Sequence, residues 1–387
     1  LDLGTKRLND LLDQYGEDLV YEATAELKAR ASKLMRAYIS RLPDGEFEAI
    51  DWLDNDGISD DPLTLKIKLK ISGEKMTLDF SDTSPACLGP VNISRSTTVA
   101  ACYVAMKHVF PEVPANSGVL EPVDFIIDEN SILSVKAPKP VGGYTETILR
   151  IIDLVFQALA LASPELTNGC AYGTINALSL AGYKKDGSRW VMFSFFGGGH
   201  GGHPLGDGLN HGNAPISTAT IPPLEILEAA YPIKFREWSL RQDSGGVGEN
   251  RGGLGAVYEI ELLEEEAKAF IFGERSKFAP PGVVGGGDGA LNKFSYEHQK
   301  EFKSPPLASK MVNISLSKGQ AVRLETPGGG GYGKAYKRKL HSVINDVKLE
   351  YISSALASSE YGVVINDEGE VDEGKTFASR KKIRQMS

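Results

Sequence analysis

The sequence is poor in cysteine and has no long apolar run. Cys87, Cys102 and Cys170 are the three cysteines among 387 residues, and their odd number and spacing match neither a zinc ribbon nor a disulfide framework. We interpret them as reduced thiols, which are typical of a cytoplasmic protein. No apolar run approaches the ~20 residues that span a bilayer, and no signal peptide is visible. We therefore expect no membrane partner.

Basic residues are fewer than acidic ones. Lys and Arg number 42 against 51 Asp and Glu, which gives a formal net charge of −9. A protein that binds nucleic acid normally carries a basic patch. We therefore expect no nucleic-acid partner and look instead for a small-molecule substrate.

Two motifs of nucleotide and ester chemistry are missing. No glycine cluster ends in the Gly-Lys-Ser/Thr of a Walker A loop. A Rossmann turn has a strand before its glycines and a helix after them, whereas a strand pattern follows residues 246–255. The nucleophile elbow G-x-S-x-G is absent too, which argues against a serine hydrolase. We therefore do not expect this chain alone to bind a nucleotide.

Glycine, in contrast, is abundant, with 42 residues. Most lie in four clusters, at 197–208, 243–255, 273–287 and 326–333. Glycine accepts positive φ and close backbone contact without steric cost. We predict that the clusters shape backbone around a reactive pocket shared with a neighbouring polypeptide.

The first cluster also carries three of the six histidines. These are His200, His203 and His211, with Asp207 between them. Histidine and carboxylate suit proton transfer near neutral pH or a divalent metal ion. The spacing H-x-x-H-x-x-x-D-x-x-x-H is not a known zinc signature, and hydrogen bonds that stabilise the loop would explain the same residues. Both interpretations stay open.

Hydrophobic periodicity predicts an α+β fold, with mixed sheets, packed helices, glycine-rich loops and an extra C-terminal helical tail. We predict three regions: an α+β region at 1–165, a glycine-rich and β-rich core at 166–333, and a helical, then polar tail at 334–387.

Individual elements carry separate signals. Residues 5–42 predict a helical hairpin packed on a sheet, and the strict alternation over 63–80 predicts a β-hairpin. Further helices are predicted at 94–108, 146–163, 340–350 and 353–360. Further strands are predicted at 123–135, 190–196, 256–263 and 267–272, with another hairpin at 311–324.

Polar segments are assigned to the surface. Five aspartates surround Gly57, and we interpret them as a solvated turn, because an EF-hand would need an aspartate at Trp52. They are Asp51, Asp54, Asp56, Asp60 and Asp61. Residues 367–387 are polar and charged, which is typical of a loose tail. Glu146 begins a predicted helix, where a carboxylate favours the helix dipole.

Several motifs in combination resemble the hydantoinase-B/5-oxoprolinase B-type subunits. Residues 79–85 and 89–92, DFSDTSP and GPVN, are similar to the family's D-F-x-G-x-S-P and G-P-x-N, with Asp82 in place of glycine. Other matching segments are 114–118, 225–232, 243–246, 251–253, 273–275, 326–330 and 361–364. The resemblance covers nearly the whole chain.

The resemblance implies a complex with an A-type subunit that binds ATP. Family complexes either carboxylate a ketone or open a cyclic amide such as hydantoin or 5-oxoproline. In both, ATP activates an oxygen as a phosphoester and a nucleophile then displaces phosphate. The family's N-terminal region, with a His/Asp metal segment, precedes the point where this chain starts. We therefore expect a divalent metal (Mg, Mn or Zn) to be held outside this chain, with a separate chain carrying that region as one alternative.

One departure from the family pattern bears on which of the two reactions the complex carries out. The family's G-A-R-P-x-x-D-G…H-T-H becomes GGHPLGDG at 201–208, with Asn213 and Pro215 at the later histidine positions. We therefore favour the acetone/acetophenone carboxylase type, with cyclic-amide hydrolysis and a non-catalytic scaffold as alternatives.

We predict roles for the candidate residues from their chemistry. His200, His203 and His211 would handle protons or polarise an oxyanion, and Asp207 and Asp243 would orient them. Arg275 would pair with bicarbonate or phosphate oxygens, since guanidinium suits bidentate contact. A buried structural network of Glu274 and Arg275 explains that pair equally well.

Overall fold

A computed structural model describes residues 1–217, 220–366 and 369–386. The helices are α1 (Asp2–Tyr15), α2 (Glu17–Ile39), α3 (Arg95–Val109), α4 (Tyr144–Ala162), α5 (Leu224–Ala230), α6 (Leu340–Lys348), α7 (Ser354–Ser359) and α8 (Glu373–Met386). The strands are β1 (Gly45–Leu53), β2 (Leu63–Ser72), β3 (Lys75–Asp79), β4 (Val123–Ile126), β5 (Ala177–Tyr183), β6 (Arg189–Ser194), β7 (Ile233–Leu240), β8 (Ala256–Leu262), β9 (Glu266–Phe272), β10 (Lys293–His298), β11 (Glu301–Lys303), β12 (Lys310–Ser317) and β13 (Ala321–Glu325). The predicted α+β class is confirmed.

The N-terminal sheet has the order β1-β2-β3-β4. The predicted hairpin is formed by β2 and β3, which are antiparallel, while β4 adds in parallel to β3. One face of β2 is buried through Leu65, Ile67, Leu69 and Ile71, because alternate side chains of a strand point the same way. Helix α4 packs on β1 and β2, and this places its charged residues beside the sheet.

Helices α1 and α2 lie where predicted, but α1 does not pack on a sheet. It buries none of its residues, and α2 buries residues only in its second half, from Ala31 to Ile39. The apolar residues of α1 therefore stay exposed, among them Leu8 and Leu11. Helix α2 contacts β3, and its buried residues join the core of the N-terminal sheet. The predicted packing on a sheet is therefore confirmed for α2 and wrong for α1.

Two further sheets stack into a sandwich. Their orders are β11-β10-β13-β8-β7 and β12-β9-β5-β6. Side chains from both, such as Leu180, Tyr258 and Ile271, form one core. Strands β8 and β9 are consecutive in sequence yet lie in different sheets.

The predicted hairpin at 311–324 is wrong. Strand β12 pairs with β9, whereas β13 pairs with β10 and β8. The chain crosses from one sheet to the other at residues 318–320. Alternation of apolar residues shows which face of a strand is buried, but it carries no information about the partner strand.

The C-terminal tail is more ordered than predicted. Residues 373–386 form α8, and Asp367, Glu368 and Ser387 lie outside the described residues. The Thr376 hydroxyl accepts the Val364 amide at 3.0 Å, and Arg380 donates to the Tyr361 carbonyl at 3.1 Å. Polar contacts of this kind leave no apolar stripe in the sequence, so composition alone suggested disorder.

Separate buried clusters lie within the ranges 1–165, 166–333 and 334–387, and the division into three domains stays a prediction. No helix among the described residues is long and apolar enough to cross a membrane.

Candidate functional site

The four glycine clusters meet in the interior, and we call their meeting point the glycine hub. Backbone hydrogen bonds join them: Gly199 N to Pro327 O (3.0 Å), Gly253 N to His200 O (2.7 Å), Gly329 N to Gly253 O (3.0 Å), Gly246 N to Gly329 O (2.8 Å) and Gly331 N to Gly287 O (2.9 Å). The clusters therefore converge, as the sequence suggested.

The hub brings main chains together without intervening side chains. A Cβ on Gly199 would overlap the Gly253 carbonyl oxygen, and one on Gly252 would overlap that of Gly329. Glycine is needed here for close approach of backbones. The clusters thus pack on one another directly, in contrast to the predicted role of shaping a reactive pocket.

His200 is a largely buried residue of the hub. Its Nε2 lies 2.6 Å from the Asn213 carbonyl oxygen, so this nitrogen carries the proton and donates. Burial lowers the pKa of His200, because desolvation disfavours the imidazolium. His200 is therefore a neutral side chain that ties residue 213 to the hub.

The other two candidate histidines differ in environment. His211 has a φ of 49°, and its Nε2 is hydrogen-bonded to the Tyr258 hydroxyl. Burial lowers its pKa to about 4. His203 is partly buried, as are the other two. Its Nδ1 accepts the Leu205 amide at 3.3 Å, and its Nε2 has no partner in the described part of the chain.

The two candidate aspartates do not contact these histidines. Asp207 accepts both terminal nitrogens of Arg338, at 2.6 and 2.7 Å, and the Arg251 amide at 2.7 Å. Burial would raise the pKa of Asp207, but Arg338 holds it below its usual value. Asp243 accepts the Ser353 amide at 2.7 Å. Both carboxylates therefore link the hub to the C-terminal region instead of orienting imidazoles.

The histidines also do not form a metal site. Each imidazole has a different neighbour, and in residues 1–217, 220–366 and 369–386 no three His, Cys, Asp or Glu side chains are grouped so that they could hold an ion. The side chains present thus do not fit a divalent metal at the first glycine cluster.

Arg275 lies in a second polar group, which we call the buried ion cluster: Asp51, Arg150, Asp153 and Arg275. The Arg275 guanidinium binds both oxygens of Asp51, at 3.0 and 2.9 Å. It also donates to Asp153 at 2.7 Å. Burial would lower the pKa of Arg275, but the two carboxylates raise it. Arg275 therefore makes its bidentate contact with Asp51, within the chain.

Arg150 completes the cluster. It is 0% exposed, and none of its guanidinium nitrogens has a hydrogen bond. Its Nη1 lies 3.9 Å from Asp51 and 3.7 Å from Asp153. Burial raises the pKa of Asp153 to about 6, against the opposing effect of Arg275. Two cations and two carboxylates are thus enclosed between α4, β1 and the loop after β9.

Next to this cluster lies a second group of buried charges. Glu274 pairs with Lys310 and accepts the Asp54 amide at 2.7 Å. Glu146 accepts the Ile175 amide at 3.0 Å, and its other oxygen has no partner. Burial, reinforced by Glu274, raises the pKa of Glu146 to about 7. The Gly273-Glu274-Arg275 motif therefore serves two adjoining ion networks.

The solvated turn predicted around Gly57 is wrong for three of its aspartates. Asp51, Asp54 and Asp56 are buried. Asp54 accepts the amides of Ser276 and Lys277 at 2.6 and 2.9 Å. Backbone amides from a distant loop satisfy this carboxylate, so its charge does not require solvent.

Sequence reasoning missed several members of these networks. Glu146, Arg150 and Asp153 lie at helical spacing in the most apolar stretch of the chain. Charged residues are rarely buried unless they are paired, so this spacing was a signal that α4 faces buried partners. No comparable signal marked Lys310 or Arg338.

Comparison with known proteins gives consistent matches over the whole chain. The chain is 29% identical over 391 residues to a Pseudomonas sp. (strain NS671) protein assigned as the B-type subunit of a D-/L-hydantoinase, covering 98% of this chain and 66% of that protein. It is 28% identical over 392 residues to the beta subunit of the caprolactamase of Pseudomonas jessenii, covering 98% and 67%. The chain thus spans about two thirds of the length of these relatives.

Solved structures agree. The crystal structure of the ATP-dependent caprolactamase from Pseudomonas jessenii matches with a TM-score of 0.86 at 26% identity, over 98% of this chain and 67% of that one. Acetone carboxylase in its nucleotide-free form matches with a TM-score of 0.84 at 17% identity, over 98% and 58%, which shows the shared fold alone. The hydantoinase B/oxoprolinase family model matches residues 1–335. The chain therefore belongs to the hydantoinase B/oxoprolinase family.

Proposed function

We propose that the chain is the B-type subunit of an ATP-dependent complex that opens a cyclic amide. The supporting observation is the match over 98% of the chain to proteins named for hydantoin and caprolactam, at 29% and 28% identity. Hydantoin and caprolactam are both cyclic amides. Because the chain spans about two thirds of those proteins, the activity of the whole assembly is part of the proposal.

Ketone carboxylation is the second candidate. The departures at 201–208 favour it, and so does the fold shared with acetone carboxylase. A likeness at 17% identity carries the fold but not the substrate, so we place the cyclic amide first. A third candidate is a scaffold that completes a partner's active site without catalytic residues of its own.

The cofactors belong to other parts of the proposed assembly. ATP would bind the A-type subunit, since this sequence has no phosphate-binding loop, and a divalent metal would be held by residues outside this chain. ATP would supply an activated phosphoester at the amide oxygen, which makes the carbonyl carbon open to attack. We also propose a cytoplasmic location, consistent with the free thiols of Cys87, Cys102 and Cys170.

Within this chain we assign different roles to the candidate residues. His203 is the best placed to exchange a proton, because its Nε2 is unpaired in the described part of the chain. His200 and His211 are neutral at pH 7, since burial lowers the pKa of both, and they would act through hydrogen bonds. Arg275, Asp207 and Asp243 would act as positioning residues, because their contacts are within the chain.

The test uses the chain co-purified with its A-type partner. We expect ADP release that depends on 5-oxoproline, hydantoin or caprolactam, and none with acetone or acetophenone plus bicarbonate. The opposite substrate preference would replace the first candidate by the second. Turnover by the partner without this chain would contradict both candidates, and it would also contradict a scaffold that completes the partner's active site.

Site variants refine the assignment. We expect His203→Gln to lower kcat at least tenfold, as is typical when an acid–base group is lost. His298→Gln, in the polar end of β10, is the control and should leave kcat unchanged. Equal kcat in the two variants would remove His203 from the mechanism.

A further inference from the structure

A cavity of about 370 Å³ opens beside the buried ion networks, between β9, β12 and the loop that contains Gly57. This volume lies in the range of about 300–1,000 Å³ that is typical of small-molecule sites. The apolar residues on its wall include Pro90, Ile271, Phe272, Leu307, Met311 and Val312. The charged group on the wall is Lys310.

Lys310 is unusual because it is almost completely buried, at 4% exposure. Its ammonium group forms an ion pair with Glu274 and lies 5.6 Å from the centre of the Phe272 ring. An ammonium group has three N–H donors, and in the described residues Glu274 is its hydrogen-bond acceptor. Two donors are therefore available in an apolar setting, where an unsatisfied donor is costly.

The surrounding charges select the kind of acceptor. Glu274 is close to Asp54, a second buried carboxylate, and this neighbour helps to raise the pKa of Glu274. A carboxylate or phosphate ligand would add repulsion in a region of low dielectric. A neutral carbonyl oxygen accepts hydrogen bonds without adding charge.

We propose that this cavity binds a small molecule with a neutral carbonyl group, whose oxygen accepts hydrogen bonds from Lys310 Nζ and whose apolar body packs against Phe272, Leu307 and Met311. The identification of this molecule as the substrate rests on the proposed function. The proposal of the site itself does not, because it is argued from the cavity and from Lys310.

Binding is measured on the full chain, without partner or ATP. Methionine methyl groups labelled with ¹³C give NMR signals, and Met311→Leu assigns the signal of Met311. We expect caprolactam to shift that signal saturably, and hexanoate, a carboxylate of similar size, to leave it unchanged. Absence of a saturable shift with caprolactam, or equal binding of hexanoate, would overturn the proposal.

Variants test the role of the ammonium group. Lys310→Met alone would leave Glu274 without its counter-ion, so Lys310→Met is combined with Glu274→Gln. We expect affinity for caprolactam to fall at least tenfold, the usual effect of a lost hydrogen bond to a charged group. Lys268→Met, at an exposed position of β9, is the matched control. Unchanged affinity in the double variant would refute the role of Lys310.

A second variant covers the case in which the double variant does not fold. Leu307 is half-buried on the cavity wall, and Leu307→Trp should fill the cavity and abolish the Met311 shift. Binding that persists would contradict the site. In the complete complex, binding without turnover would count against the proposed function alone, whereas turnover without the Met311 shift would count against the cavity alone.

Discussion

Asp51 and Arg275 lie 224 residues apart in sequence and form a two-pronged ion pair, with N–O distances of 3.0 and 2.9 Å. Asp51 belongs to β1 and Arg275 to the loop after β9, so the pair joins the N-terminal sheet to the sandwich. Asp51 is 2% exposed and Arg275 is 0% exposed. Solvent cannot replace either partner.

Asp51→Asn should therefore destabilise the chain strongly. The variant keeps the shape of the side chain but removes its charge. Asp153 is then the remaining carboxylate of the cluster, beside Arg150 and Arg275. Breaking a buried pair typically costs about 3–5 kcal/mol, which urea denaturation would measure. Asp82→Asn is the control, since that carboxylate pairs with Lys66 at the surface, and it should cost less than about 1 kcal/mol. Similar losses in both variants would contradict the buried cluster.

Stability should fall as the pH rises through neutrality, because of Glu146. Its pKa is raised from 4.5 to about 7 in the folded chain, so the folded state holds a proton that the unfolded state releases above about pH 4.5. The associated stability is complete below pH 4.5 and is lost as the pH approaches and passes 7. Its size is on the order of 3 kcal/mol.

The measurement compares the wild type with Glu146→Gln. We expect the free energy of unfolding, from urea titrations at pH 5, 6, 7 and 8, to decline more steeply in the wild type. Asp153, with its pKa raised to about 6, contributes in the same direction to both proteins and cancels in the comparison. Parallel curves would show that Glu146 is charged in the folded state.

Gly199→Ala should prevent the glycine hub from closing. The added methyl group would overlap the Gly253 carbonyl oxygen, and overpacking of backbone against backbone should cost about 3 kcal/mol or more. Gly4→Ala is the matched control, because nothing lies within 4 Å of a Cβ there and alanine is favoured in a helix. Thermal unfolding should show a lower Tm for the first variant and an equal or higher one for the second.

Deletion of residues 1–15 should leave the stability of the remaining chain nearly unchanged. Helix α1 buries no residue, so its removal should alter the free energy of unfolding by less than about 0.5 kcal/mol. Met35→Ala in α2, a fully buried position, is the contrasting variant and should cost about 2–5 kcal/mol. A loss above about 1 kcal/mol on deletion would show that α1 packs on the chain in solution.

Local patterns in the sequence identified individual elements well. The alternation over 63–80 predicted β2 and β3, and the apolar periodicity over 146–163 predicted α4, because each element buries one face whose spacing is visible in the sequence. The pairing of β12 and β13 with distant strands could not be predicted in the same way. It depends on which sheet each strand joins, and the local periodicity of a strand does not show this.

In the candidate site, too, the residue types could be predicted from the sequence, but their partners could not. Arg275 was identified from a motif, and the structure places it in a buried cluster with Asp51 and Asp153. Those partners come from β1 and α4, and only folding brings them together. The histidines were chosen for their chemistry, yet desolvation lowers the pKa of His200 and His211. The sequence shows a side chain's type but not its solvation.

The glycine hub affects how many substitutions this sequence can accept without a change of fold. Peptide groups are the same at every position. A contact between two of them therefore does not depend on the neighbouring side chains, provided that the residues at the contact remain glycine. Side chains elsewhere can then change freely while the crossing geometry persists. Acetone carboxylase shares the fold of this chain at 17% identity, with a TM-score of 0.84.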